Sequence, residues 1–226
     1  MRHVVIVGGG AALAQPLINH YLERDYLVTA VCRQTGPNYG LITQNRSRLR
    51  VEIGGGNFPT AVAGVEPIGV LVLMTGSVDN ARITDMYIEQ WLNVIQSSLV
   101  VPFEAMRAGL SRVVDCGNVV VVGSVVGSTG GYGCANYAAA KAGLIGLVRA
   151  AANETAARGV CVNLLELGYL DAGMGARLDP KVKEKVLPTI PLGRFGTEED
   201  FVQAVDYLSR VRYMTGNVLT MAGGLR

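Results

Sequence analysis

The chain has 226 residues, half of them hydrophobic and 17% charged, with a formal net charge of +2. That length and composition allow a large buried core and exclude a disordered or fibrous chain. So small a charge excludes binding driven by nucleic acid phosphates or by an acidic membrane surface, and the absence of any run of eighteen apolar residues excludes a membrane span.

Residues 3–7, HVVIV, form the first predicted strand and run into three glycines; the apolar run is too short for a secretion signal. The stretch VGGGAALAQPLINHYL then reads as a glycine-rich turn opening a helix over 13–24, with Pro16 tolerated in its first turn. Strands follow at LVTAV (27–31), LRVEI (49–53) and GVLVLM (69–74). Next come a helix over about 85–110, a strand at NVVVVG (118–123) and a helix over 137–157. The strand CVNLLEL (161–167), a helix over 197–210 and the strand NVLTMA (217–222) complete the series.

Most of these strands are continuously apolar, as in a sheet covered on both faces. Their alternation with helices implies parallel pairing. The expected fold is α/β: a Rossmann-type, doubly wound parallel sheet of about seven strands with helices on both faces, forming one domain over 1–226. Residues 34–68 break the rhythm, with glycines and prolines crowding gaps of about fifteen residues, so crossover helices there should be short or missing.

Four cysteines (Cys32, Cys116, Cys134 and Cys161) show no CxxC spacing and read as free thiols of a cytoplasmic protein. With two histidines, His3 and His20, no metal site is expected.

Two stretches carry chemistry. The turn at Gly8, Gly9 and Gly10 presents backbone N–H groups at a helix start, a cradle suited to a pyrophosphate. On its own a glycine cluster is a weak signal. More specific is YAAAK, residues 137–141, with Ser124 thirteen residues before the tyrosine. Tyr137 and Lys141 stand four apart, hence on one helical face. A free phenol titrates near pH 10, and bringing it to neutrality needs roughly 4 kcal/mol. A lysine ammonium about 4 Å away supplies about that much at an effective dielectric near 20. The spacing therefore predicts a phenol lowered by Lys141, with Ser124 holding a substrate oxygen beside it.

At these residues the sequence resembles the short-chain dehydrogenase/reductase family, closest to its 3-oxoacyl-(acyl carrier protein) reductase branch. The likeness is carried by GSVVGSTGGYGCANYAAAKAGLIGLVRAAANETAARGVCVN and by IPLGRFGTEEDFVQAVDYLSRVRYMTGNVLTMAGGL. It implies Ser124, Tyr137 and Lys141 as catalytic residues, with Tyr137 giving a proton to a carbonyl oxygen as hydride arrives from a nicotinamide. It also implies cofactor contacts from Gly8, Gly10, Ala11, Ala12 and Leu13 in the turn, from Thr75 and Gly76 after the fourth strand, from Tyr137 and Lys141, and from Gly168 and Leu170 after the sixth. The family's catalytic helix asparagine falls on Ser98, and a serine can kink a helix by bonding back to a carbonyl. Arg33, directly after the second strand, suits the 2′-phosphate of NADP(H) and places NAD(H) second.

The departures from the family pattern are as specific. Its TGxxxGxG reads VGGGAALA here, its NNAG reads LMTG at 73–76, and its PG reads Leu167–Gly168. The leading expectation is an NADPH-dependent ketoreductase acting on a small-molecule or carrier-protein-bound acyl substrate, as a homotetramer or a hetero-oligomer with a related reductase. A weakly catalytic or non-catalytic partner subunit is the alternative, and an alcohol dehydrogenase is a third reading.

Overall fold

The computed structural model describes residues 2–33, 47–53, 61–62, 65 and 67–225. Its strands are β1 (His3–Val7), β2 (Leu27–Cys32), β3 (Leu49–Ile53), β4 (Ile68–Leu73), β5 (Val113–Ser124), β6 (Cys161–Leu167) and β7 (Val218–Met221). They form one sheet in the order β3-β2-β1-β4-β5-β6-β7, every neighbouring pair parallel. The chain works outward from β1 to β3 and then returns to lay β4 on β1's other side. That reversal makes the carboxyl ends of β1 and β4 a topological switch point, the place where open α/β sheets bind ligands.

The helices are α1 (Ala14–Glu23), α2 (Ile88–Ile95), α3 (Val101–Gly109), α4 (Val126–Thr129), α5 (Ala135–Thr155), α6 (Pro180–Val186) and α7 (Glu198–Arg210). Alternate strand residues supply two cores. Val5, Val7, Leu71, Leu73, Val119 and Val121 pack with Leu144 and Val148 of α5. Val4, Ile6, Val70, Val72 and Val120 pack with Leu17 of α1 and Phe201 of α7 on the other face. Both faces are dry, which is why these strands read as unbroken apolar runs. α7 starts where a capping box closes its first turn, Thr197 accepting from the Asp200 N–H at 3.1 Å while Asp200 accepts from the Thr197 N–H at 2.8 Å.

The structure departs from the sequence expectation in four places. β5 starts at Val113 rather than 118 because the strand bends: its register with β4 shifts between Ile68 and Val70, and Cys116 takes a φ of 59°. The helix expected over about 85–110 is broken by a π-helical turn at Gln96–Val100. Pro102, just beyond it, has no N–H to return to the preceding turn. The helix expected over 137–157 already begins at Ala135. Finally, α4 and α6 were not predicted, being only four and seven residues long.

Of the irregular region, residues 34–46, 54–60, 63–64 and 66 lie outside the described residues, so the expectation of short crossovers falls mostly there. Among the described residues, no helix is long and apolar enough to cross a membrane.

Candidate active site

Ser124 is the last residue of β5, and its Oγ accepts from the Val126 N–H at 3.4 Å. Tyr137 and Lys141 lie on the buried face of α5, only 7% and 4% exposed. The Ser124 hydroxyl lies near enough to the Tyr137 phenol to lower its pKa. Lys141 Nζ donates to the Val122 carbonyl at 2.9 Å and to the Thr75 carbonyl at 3.4 Å. The fold therefore brings the three together at the carboxyl ends of β4 and β5.

The electrostatics differ from the expectation of a phenol lowered by Lys141. Burial pushes the phenol up to about 12, with the nearby Ser124 hydroxyl working the other way. Lys141 is drawn toward the strand carbonyls, its Nζ 5.6 Å from the centroid of the Tyr137 ring. Burial also lowers its own pKa to about 8. Desolvation is the largest cause of the shift in both groups.

Ser98 is completely buried in the π turn. It does not bond back to its own helix: its Oγ accepts from the Ser77 N–H at 3.1 Å and donates to the Ser77 carbonyl at 3.2 Å. The back-bond expected of Ser98 is made by its neighbour, with Ser97 Oγ donating to the Val94 carbonyl at 3.2 Å. Ser98 thus ties the π turn to the loop after β4. A side chain on Gly76 would begin 3.1 Å from Ser98 Oγ and 3.5 Å from Lys141 Nζ.

The glycine turn is tightly seated. Gly8 has a φ of 100°, and a Cβ there would sit 2.9 Å from the Met74 carbonyl oxygen. A Cβ on Gly9 would sit 2.8 Å from that of Ala30, whereas one on Gly10 would meet nothing nearer than Cys32 Sγ at 4.0 Å. Gly8 and Gly9 both donate to the Val31 carbonyl, and Ala11 donates to that of Gly8. Among the described residues, the N–H groups of Gly10, Ala12 and Leu13 donate to no backbone carbonyl outside the regular elements. Thr75 Oγ1, at the neighbouring strand end, is buried without a hydrogen-bond partner. Spare donors on an open turn beside an unsatisfied hydroxyl fit a dinucleotide phosphate.

Arg33 is exposed at the end of β2, one residue beyond Cys32. Gly168 donates to the Met221 carbonyl at 2.9 Å. The Leu170 side chain is a core residue, 6% exposed, so only its main chain is available to a ligand.

Two polar residues not singled out in the sequence are built into this region. Asn136 is fully buried. Its Nδ2 donates to the carbonyls of Asp79 at 2.9 Å and Gln90 at 3.3 Å, and its Oδ1 accepts from the Tyr137 N–H at 2.8 Å. Glu166, 5% exposed in β6, accepts from the hydroxyl of Ser128 in α4 and from that of Thr220 in β7. A lone carboxylate inside CVNLLEL was the available signal for Glu166, since burying a charge requires partners.

Comparison with known proteins identifies the family. A family model described as enoyl-(acyl carrier protein) reductase matches residues 57–226. The chain is 33% identical over 162 residues to the 3-oxoacyl-(acyl-carrier-protein) reductase FabG of Salmonella typhimurium, a match covering 70% of this chain and 66% of that protein, just under two thirds. It is 35% identical over 162 residues to the enzyme of the same name from Haemophilus influenzae, covering 70% and 67%. Among solved structures, a proposed 2-deoxy-d-gluconate 3-dehydrogenase of Agrobacterium tumefaciens with bound NADP superposes with a TM-score of 0.88 at 25% identity, over 99% of this chain and 96% of the other. A short-chain dehydrogenase/reductase variant of Serratia marcescens gives a TM-score of 0.91 at 18% identity over 99% and 97%, a likeness of fold. From sequence and architecture together, the chain belongs to the short-chain dehydrogenase/reductase family.

Proposed function

We propose that this protein is an NADP(H)-dependent ketoreductase that converts a carbonyl, foremost that of a 3-oxoacyl thioester on a carrier protein, to the alcohol. The observation that carries this reading is the convergence of Ser124, Tyr137 and Lys141 at the sheet's carboxyl edge, with Lys141 Nζ 5.6 Å from the centroid of the Tyr137 ring and the Ser124 hydroxyl near the phenol. The relatives named as 3-oxoacyl-(acyl-carrier-protein) reductases and the neighbour holding NADP support the substrate class and the cofactor.

The cofactor would lie along the Gly8–Leu13 turn and Thr75–Gly76, with Arg33 at its 2′-phosphate. When bound, it supplies the hydride. The chain's own residues do the rest. Ser124 and Tyr137 receive the carbonyl oxygen between their hydroxyls, and Tyr137 gives that oxygen its proton. Lys141 keeps positive charge under the developing phenolate, where an isolated negative charge in a buried site is costly. By resemblance to the carrier-protein reductases, the working form is a cytoplasmic oligomer of four like chains.

A non-catalytic partner subunit is the second reading. It is favoured by Leu73, Met74 and Thr75 standing where the family pattern has two asparagines and an alanine. Single-turnover NADPH oxidation with an acetoacetyl thioester tests both. Tyr137→Phe should lower the rate at least about 10²-fold, typical of a lost general acid, with NADPH affinity unchanged. Full turnover in that variant removes Tyr137 from the mechanism. NADPH binding with no turnover by the wild type moves the assignment to the partner subunit.

A further inference from the structure

We propose that Asn136 is a positioning residue that locks Tyr137 to the segment running from Asp79 to Gln90; the claim that this locking serves catalysis rests on the ketoreductase reading above. The residue has no exposed surface, and each of its polar atoms is used on a different piece of chain. Oδ1 takes the N–H of Tyr137 itself. Nδ2 bridges the Asp79 carbonyl, in the loop after β4, and the Gln90 carbonyl, in α2.

The loop and helix are also joined independently of Asn136. Gln90 Nε2 donates to Asp79 Oδ1 at 2.9 Å, and Gln90 Oε1 accepts from the Tyr87 N–H at 3.0 Å. Further along the loop, Ala81 donates to the Gly133 carbonyl at 2.8 Å. The loop and α2 therefore behave as one unit, and Asn136 is its link to the first turn of α5. That turn needs the help. Its N-cap is Cys134, which makes no side-chain cap hydrogen bond, so the Tyr137 N–H would otherwise be one of the orphan donors of a helix start. One amide side chain thus satisfies the helix start and ties the phenol's backbone to the wall facing it.

Two substitutions separate these bonds. Asn136→Asp keeps the acceptor for the Tyr137 N–H but replaces the Nδ2 donor with an oxygen facing two carbonyls. Asn136→Ala removes both. Amide hydrogen exchange should quicken across 79–90 in both variants, but at Tyr137 only in the Ala variant. Trp91, the single tryptophan, follows Gln90 directly, and its emission should shift in both.

In the Asp variant, kcat should fall at least tenfold at pH 7.5 with KM changed less than threefold. It should then recover as pH drops toward 5.5, because a protonated carboxyl regains one donor and burial raises the pH at which it protonates. Wild type should show no such recovery. If the Ala variant does not fold, the near-isosteric Asp variant carries the test. Unchanged exchange over 79–90, or a loss of kcat in Asp without recovery at lower pH, overturns the proposal. A wild type inactive toward carbonyls defeats the functional reading instead, and leaves exchange and Trp91 emission to decide the positioning.

Discussion

Lys141 Nζ donates to the Val122 carbonyl oxygen at 2.9 Å, from a side chain that helix α5 lowers almost entirely beneath the protein surface. The ammonium is held by main-chain dipoles rather than by a carboxylate. Its pKa accordingly falls to about 8, with burial as the cause. The neighbouring Tyr137 phenol stays protonated far above that, up to about 12.

This pairing predicts where activity fails with rising pH. Tyr137 keeps its transferable proton throughout the range from 7 to 10, so loss of the donor does not limit reduction there. On the proposed mechanism, loss of the Lys141 charge does. The rate of carbonyl reduction should fall as pH rises through about 8, measured as kcat with saturating NADPH and an acetoacetyl thioester. A flat profile to pH 10 would mean that the lysine charge is not needed or not perturbed.

The same burial predicts a stability effect independent of any substrate. Unfolded Lys141 titrates at its ordinary 10.5, and folded at about 8. Below 8 both states carry the charge and the folded state bears the full desolvation penalty; above 10.5 neither does. Between those values the unfolded chain binds more protons, so this site's contribution to stability rises with pH. Thermal melts of wild type and Lys141→Met should therefore diverge in the wild type's favour on moving from pH 7.5 to 10.5. A difference constant across that window would contradict the lowered value.

Much of this was legible in the chain. The strands announced themselves because both faces of the sheet are dry, so VVIV and VLVL carry no polar interruptions to blur them. Tyr137, Lys141 and Ser124 were legible because a helix repeat and a strand end fix their relative places. The sign of the phenol's shift was not, since it depends on how deeply α5 sits and on Lys141 finding the carbonyls of Val122 and Thr75. Nor was the partner of Ser98: a bond to Ser77, twenty-one residues earlier, leaves no periodic trace. Asn136 was hidden for the same reason, its three partners lying on separate elements.

The Ser98–Ser77 connection has its own consequence. Ser98→Ala removes a bond to each backbone polar group of Ser77, one of them to an N–H in the loop that also carries Gly76. Loss of such a pair costs about 1 kcal/mol, equivalent to about 2–4 °C in Tm for a chain of this size. The 76–77 loop should loosen against Lys141, weakening NADPH binding. Ser97→Ala removes the bond to the Val94 carbonyl and a 2.6 Å contact with the Ser77 hydroxyl, leaving the Ser77 backbone held. It should therefore bind NADPH like wild type. Equal weakening in both variants would show that the hydroxyl cluster as a whole, not Ser98, holds the loop.

The glycine turn allows folding and cofactor binding to be separated by two substitutions two residues apart. Gly8 has a φ of 100°, a conformation L-residues avoid at a cost on the order of 1–3 kcal/mol, and its added methyl would press on the Met74 carbonyl oxygen at 2.9 Å. Gly8→Ala should therefore lower Tm by several degrees and displace both the turn and the strand end bearing Thr75. Gly10 differs, because a methyl there meets only Cys32 Sγ at 4.0 Å and otherwise projects into open space. Gly10→Ala should melt like the wild type. Yet on the proposed cofactor pose a phosphate comes close to the backbone there, and a methyl holds it off. NADPH titration should show at least tenfold weaker binding for Gly10→Ala despite the unchanged melt. Wild-type affinity in Gly10→Ala would move the pyrophosphate away from this turn, and an unchanged melt in Gly8→Ala would contradict the backbone conformation on which the cradle depends.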